Sequence, residues 1–136
     1  MSDASLVLGL DLGDRHIGVA IGNLITQTAS PLPDLTNDRS LADKLLELYQ
    51  QYNFACIVIG LPLTATGQHG KQAKKVVELV AILKQKLPME IMLEDERFTT
   101  QSAAKFLIQN PKIDTTIDGA SAKLILEGWL SRQDPS

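Results

Sequence analysis

The sequence predicts an α/β fold with a mixed five-stranded sheet and helices on both faces. Short runs of branched apolar residues alternate with segments whose apolar residues recur at helical spacing. The first two runs are separated only by a tight turn, which predicts an antiparallel hairpin. The later runs are separated by helices, and such crossover connections imply parallel strands beside that hairpin.

The first half of the chain predicts three strands, a helix and a fourth strand. Branched residues dominate the first two strands, which meet at the turn Gly13-Asp14-Arg15. Pro31 and Pro33 are expected to end the third strand, because proline lacks the amide hydrogen that a central strand needs and suits a strand end or an edge strand. Leucine and tyrosine at helical spacing predict the helix, and an unbroken apolar run predicts a strand covered on both faces. These elements cover residues 6–12, 16–22, about 26–32, about 40–52 and 55–60.

The second half predicts three helices and one further strand. An amphipathic helix ends before Pro88, since proline cannot continue it. After the strand, Thr99 or Thr100 can cap a short helix that stops before Pro111. The last helix carries alanine, isoleucine, leucine and tryptophan on one stripe. These elements cover about 71–87, 89–95, about 99–109 and a helix from about Asp118.

Composition is consistent with one compact soluble domain over residues 1–136. The chain is 44% hydrophobic and 21% charged, and its apolar runs are too short to span a bilayer. With a short polar N-terminus, this predicts a cytoplasmic protein without membrane association. Cys56, the only cysteine, lies in an apolar run and is expected to be a buried structural thiol. The net charge of -3 weighs mildly against nucleic acid as a partner, although carboxylates gathered for a divalent cation would have the same effect.

Asp11 is the first candidate functional residue. Its strand neighbours are leucine, valine and glycine, and an unpaired carboxylate is costly to bury among them. Gly9, Gly13 and Gly18 lie close in sequence, and their missing side chains would let a substrate or a hydrated cation approach the carboxylate. A plain aspartate bonded to the backbone of the Gly13 turn is the alternative.

Other acidic residues end or begin neighbouring elements. Glu94, Asp95 and Glu96 close a strand at the edge of the sheet where α/β proteins bind ligands. Alternation puts Asp95 on one face and Glu94 with Glu96 on the other, so Asp95 and Glu96 both remain candidates. Asp118 opens the last helix, where a simple helix cap is the alternative. If Asp11 and these acids converge, their oxygens suit Mg²⁺ or Mn²⁺ and phosphodiester hydrolysis.

Basic residues near these acids are candidate phosphate contacts, namely Arg15, Lys71 and Arg97. The segment 65–72 is not a P-loop, because alanine and glutamine replace the required glycine and hydroxyl residue. Its glycines and Lys71 can still hold a phosphate at a helix N-terminus, and a solvated lysine face is the alternative. Zinc is disfavoured, since the histidines and the cysteine lack ligand spacing.

Four segments together resemble the YqgF nucleases, also described as RuvX or RuvC-like Holliday-junction resolvase homologues. The match in order and spacing extends from about Val7 to Leu130. His16 departs from the family, which usually carries a basic residue there, and Thr64 replaces a frequent asparagine. The four segments are Gly9-Leu-Asp-Leu-Gly13-Asp-Arg-His-Ile-Gly18-Val-Ala, Gly60-Leu-Pro-Leu with Gly67 and Gly70, Asp95-Glu-Arg-Phe-Thr-Thr100, and Asp118 with Ala120, Ala122, Ile125 and Leu126.

The resemblance implies a ribonuclease H-like fold and a divalent-metal nuclease that uses Mg²⁺ or Mn²⁺. It further implies maturation of the 5′ end of pre-16S rRNA, with structured RNA favoured over branched DNA and association with the pre-ribosome. The metal ligands carried over by the resemblance are Asp11, Asp95 or Glu96, and Asp118.

Three alternatives stay open. One is a dimeric Holliday-junction resolvase, and another is a non-catalytic RNA-binding ribosome-assembly factor. The third is an actin-like ATPase, suggested by the turn at residues 11–13, although such proteins need two of these domains around a nucleotide. The sequence does not decide the oligomeric state.

Overall fold

The fold was analysed in a computed structural model that describes residues 5–62, 70–95, 107–110 and 116–133. Residues 107–109 are helical, in agreement with the predicted short helix, whose expected caps Thr99 and Thr100 lie outside the described residues. The other elements in chain order are β1 (Leu6–Leu12), β2 (His16–Asn23), β3 (Thr28–Thr36), α1 (Leu41–Tyr52), β4 (Cys56–Leu61), α2 (Lys71–Lys86), β5 (Glu90–Asp95) and α3 (Ile117–Leu130).

The five strands form one mixed sheet in the order β3-β2-β1-β4-β5. Strand β2 pairs antiparallel with β1 and β3, whereas β4 pairs parallel with β1 and β5. The Gly13 amide donates to the His16 carbonyl over 3.0 Å and closes the hairpin between β1 and β2. The predicted mixture of one hairpin with later crossover strands is therefore confirmed.

Alternating side chains of the strands build a separate core on each face of the sheet. Leu8 and Leu10 of β1 pack with α1 and α2, whereas Val7 packs with α3. Cys56 is buried in the α3 core, as predicted for a structural thiol. Helices thus cover both faces, and none of the helices described is long and apolar enough to cross a membrane.

Strand β3 corrects the predicted third strand, which was expected to end at its prolines near residue 32. The strand instead continues through Pro31 and Pro33 to Thr36. It can do so because it lies at the edge of the sheet and has a neighbouring strand on one side only. A proline there can turn its missing amide hydrogen to the open side, where no strand would accept a hydrogen bond.

A register shift in β3 changes which face its residues occupy. Leu32 pairs with Val19 and Leu35 pairs with Ile17, so two residues of β3, Pro33 and Asp34, oppose Gly18 alone. This is the pattern of a β-bulge, in which one strand carries an extra residue. Leu32 and Leu35 consequently both pack against the α1 and α2 core. Asp34 is thereby turned to the α3 face.

Glycines in β1 and β2 let α3 lie directly on the strand backbone. A Cβ atom added to Gly18 would stand 1.9 Å from the Asp118 carbonyl oxygen, closer than any real contact. A Cβ atom on Gly9 would stand 2.9 Å from the Leu126 Cβ. The first turn of α3 therefore rests on β2 at Gly18, which pairs with Asp11 of β1.

We expect Gly18→Ala to destabilise the protein by about 1–3 kcal/mol or more, because a methyl group must displace helix backbone rather than a flexible side chain. Urea unfolding measures this change. Gly128→Ala is the matched control, since its added Cβ would lie 3.4 Å from a Glu94 carboxylate oxygen and alanine favours the helix. Equal stability of Gly18→Ala and the wild type would contradict the packing described.

Candidate functional site

Three aspartates gather where α3 begins on the sheet. Asp11 pairs with Gly18, and Asp34 lies in the bulge on the other side of Gly18. The Asp118 carbonyl rests on Gly18 itself. The three residues therefore come from β1, β3 and α3 and meet around one glycine.

The surroundings of Asp11 disfavour the ionised form of its carboxyl group. Its carboxyl is partly buried, and its pKa is raised from 3.8 to about 6. Burial is the main cause, followed by the negative charge of Asp118, while Asp34 contributes less. The Ser121 hydroxyl lies near enough to lower this pKa, although its geometry falls short of a normal hydrogen bond.

Asp118 lies in the first turn of α3 but is not the residue that caps the helix. Thr116 is the N-cap, and its hydroxyl oxygen accepts a hydrogen bond from the Gly119 amide over 2.9 Å. The simple-cap alternative for Asp118 is therefore wrong. Burial and the charge of Asp34 raise the pKa of Asp118, and nearby His16 lowers it.

Asp34 is a site residue that the sequence did not predict. The Thr116 hydroxyl donates to its carboxylate, with oxygen distances of 2.8 and 3.0 Å. Asp34 thus ties the N-cap of α3 to the edge strand. Strict alternation from Leu32 would have put Asp34 on the opposite face, and only the bulge at Pro33 reverses that assignment.

The acids at the end of β5 are divided between the two faces of the sheet. Glu94 is buried, approaches Gly128 of α3 and forms an ion pair with Arg132. Asp95 is exposed and pairs with Leu61 of β4, so alternation puts it on the face opposite Asp11. Glu96, the other candidate, lies outside the described residues.

Two of the three candidate phosphate contacts fall within the described residues. Arg15 is exposed in the β1–β2 turn, and Lys71 is exposed at the start of α2. Lys75, one helical turn after Lys71, forms a 3.4 Å ion pair with Asp14, which brings α2 beside that turn. Arg97 lies outside the described residues.

Asp11 and Asp118 offer carboxylate oxygens, the ligand type that divalent cations such as Mg²⁺ prefer. In the part of the chain that the structure describes, neither Asp11 nor Asp118 has a lysine or arginine ion-pair partner. The same residues contain no group of three acid, histidine or cysteine side chains arranged to hold a metal. Two carboxylates are nevertheless consistent with Mg²⁺, which commonly takes one or two protein carboxylates and completes its shell with water and phosphate oxygens.

We expect Asp11→Asn to stabilise the protein at neutral pH. Since the folded pKa of Asp11, about 6, exceeds the ordinary 3.8, ionisation costs folding free energy that is absent below pH 4 and complete above pH 6. The gain should be about 1–3 kcal/mol at pH 7.5 and should vanish near pH 4. Thermal and urea unfolding at both pH values measure it.

The control for this measurement is Asp43→Asn, the same chemical change at an exposed position of α1. It should produce no such pH-dependent gain. A loss of stability in Asp11→Asn at pH 7.5 would contradict the electrostatic description of Asp11.

Known proteins and a family model match this chain over almost its whole length. A family model described as RuvX, Holliday junction resolvase, matches residues 5–132. A protein of Sulfurihydrogenibium sp. (strain YO3AOP1), named as a candidate pre-16S rRNA nuclease, is 42% identical over 94% of this chain and 91% of its own length. A protein of Thermoanaerobacter pseudethanolicus with the same name is 34% identical over 93% of this chain and 96% of its own length.

Solved structures show the same fold at low sequence identity. The Fowlpox virus Holliday junction resolvase matches with a TM-score of 0.60 and 11% identity, over 94% of this chain and 99% of that chain. Thermus thermophilus RuvC in complex with a Holliday junction substrate matches with a TM-score of 0.59 and 11% identity, over 92% of each chain. These likenesses confirm the predicted ribonuclease H-like fold. With the family model extending over almost the whole sequence and relatives of similar length agreeing with it, the chain belongs to the RuvX family.

Proposed function

We propose that this protein is a divalent-metal-dependent nuclease that hydrolyses RNA phosphodiester bonds and processes the 5′ end of pre-16S rRNA. The observation that carries the proposal is that the carboxylates of Asp11 and Asp118 lie close enough for the charge of Asp118 to raise the pKa of Asp11. Each carboxylate is partly buried, and burial together with neighbouring negative charge raises the pKa of each. Two neighbouring ionised carboxylates destabilise the folded protein. A bound divalent cation would neutralise their charge and remove this cost.

The proposed metal ligands come from two different elements of the fold. Asp11 supplies carboxylate oxygens from a rigid central strand, and Asp118 supplies them from the first turn of α3. Mg²⁺ or Mn²⁺, when bound there, would polarise the scissile phosphate and stabilise the negative charge of the transition state.

We propose Glu96 rather than Asp95 as the third acid of the site. The support is the β5 register, in which Asp95 shares the face of Leu61 rather than that of Asp11. Glu94 is a poor substitute, because its carboxylate is already neutralised by Arg132.

The names of the relatives support RNA as the substrate, since they refer to pre-16S rRNA and their lengths match that of this chain. We accordingly propose one nuclease domain over residues 1–136, a cytoplasmic location and association with the pre-ribosome. Arg15, Lys71 and Arg97 are the proposed phosphate contacts. Arg15 and Arg97 lie next to the segments that carry Asp11 and Glu96, and Lys71 begins the helix that the Lys75–Asp14 ion pair brings beside the Arg15 turn.

A second candidate function is resolution of Holliday junctions in DNA. The matching family model is described as a Holliday junction resolvase, and this description supports the alternative. It requires a dimer that presents two sites to one four-way junction.

We expect Asp11→Asn and Asp118→Asn each to reduce cleavage of a 5′-extended 16S rRNA precursor by more than about 100-fold, because removing a ligand should cost more than removing an outer hydrogen-bond partner. Cleavage is followed on gels with Mg²⁺ or Mn²⁺, and a four-way DNA junction is tested in parallel. Asp43→Asn, on the opposite face of the sheet, should retain full activity.

The outcomes separate the candidate functions. Preferential cleavage of the junction would support the resolvase. Binding of RNA by the wild type without cleavage in either metal would favour a non-catalytic assembly factor and refute the nuclease proposal. Equal activity of Asp11→Asn and the wild type would remove Asp11 from the catalytic site.

We expect Arg15→Ala and Lys71→Ala to weaken RNA binding by about 3- to 10-fold each, since each loses a phosphate contact and about one released counterion. Filter binding at several salt concentrations measures both the affinity and its salt dependence. Lys84→Ala, at the far end of α2, is the matched control and should bind RNA like the wild type. An unchanged salt dependence in both variants would exclude these two residues from the RNA interface.

A further inference from the structure

We propose that Ser121 is a positioning residue whose hydroxyl donates to the Asp11 carboxylate and holds it ready for a divalent cation. The inference rests on the proposed function and adds a residue to that site. Its starting point is an anomaly in the α3 core rather than the acids themselves.

The anomaly is a buried hydroxyl without a proper partner. Ser121 is 1% exposed, and its Oγ is the buried side-chain polar atom that makes no hydrogen bond of normal geometry within the described residues. Glu94, the other buried polar residue described, is satisfied by Arg132. An unsatisfied buried hydroxyl costs folding free energy, so its presence calls for a role that offsets the cost.

The packing of α3 explains why this hydroxyl faces Asp11. The helix touches the sheet backbone at two points, with Asp118 over Gly18 and Ala122 over Gly9. Asp11 pairs with Gly18 and lies two residues beyond Gly9 on the same face of β1. Ser121 belongs to the turn between those contacts, and it follows Asp118 by three residues, the spacing that shares a helix face. Its effect in lowering the pKa of Asp11 agrees with this placement.

Metal-ligating carboxylates are themselves regularly held by outer hydrogen bonds, and loss of such a partner typically weakens metal binding by about 10- to 100-fold. A serine hydroxyl has one donor to give and suits a carboxylate oxygen. The ordinary alternative is a structural serine that bonds to a carbonyl of its own helix. The two roles predict different responses to removal of the hydroxyl.

The test compares Ser121→Ala with the wild type in two measurements. Without metal, the variant should be no less stable to urea, because the hydroxyl makes only an imperfect contact with Asp11 in the folded protein. In calorimetric titration with Mn²⁺, its dissociation constant should rise by about 10-fold. Ser131→Ala is the matched control, since the Ser131 hydroxyl bonds to the Gly128 carbonyl at the far end of α3, and its Mn²⁺ affinity should not change.

A double variant shows whether Ser121 acts through Asp11. On metal-free protein in urea at pH 7.5, the effect of Ser121→Ala on the free energy of unfolding should differ between the wild-type and the Asp11→Asn backgrounds, because the two side chains interact; equal effects would mean that the hydroxyl does not act on Asp11. Wild-type Mn²⁺ affinity in Ser121→Ala, or a loss of urea stability without a loss of affinity, would overturn the assignment and leave the nuclease proposal intact. Absence of Mn²⁺ binding by the wild type would overturn both.

Discussion

The contact between the Asp118 carbonyl and the backbone of Gly18 fixes where the other residues of the site lie. Any side chain at Gly18 would occupy the space of the first turn of α3. Because Gly18 pairs with Asp11, this contact brings Asp118 to the end of β1. A second contact, between Gly9 and α3, fixes the direction of the helix across the sheet. The two contacts together place Ser121 beside Asp11.

The same packing concentrates negative charge around the partly buried Asp11 carboxylate. The pKa values of Asp11 and Asp118 rise mainly through burial, and the aspartates also repel one another. Glu94 is neutralised by Arg132 and adds little to this charge, whereas Asp34, bonded by the Thr116 hydroxyl, contributes to raising the pKa of both aspartates. What remains is an electrostatic cost on Asp11 and Asp118, the condition under which a cation binds with the greatest benefit.

Much of this arrangement could be predicted from sequence, and the failures have definite physical causes. Asp11 was evident because a carboxylate in an apolar strand needs an explanation, and the hairpin and helix periodicities predicted a mixed sheet. Asp34 was not evident, because a bulge in an edge strand moved it to the other face. Alternation alone could not decide between Asp95 and Glu96, and the β4–β5 register is what supports our proposal of Glu96. The role of Thr116 as the cap needed the exact start of α3. Ser121 could not be singled out from sequence, because its burial beside Asp11 depends on how α3 packs on the sheet.

If Asp11 and Asp118 share one cation, anomalous scattering from a crystal soaked in Mn²⁺ should locate it. We expect a Mn²⁺ peak within coordination distance of a carboxylate oxygen from each residue, and no such peak in an Asp11→Asn crystal. Wild-type crystals saturated with Mn²⁺ in which the two carboxylates point apart and bind no ion would refute a shared cation site.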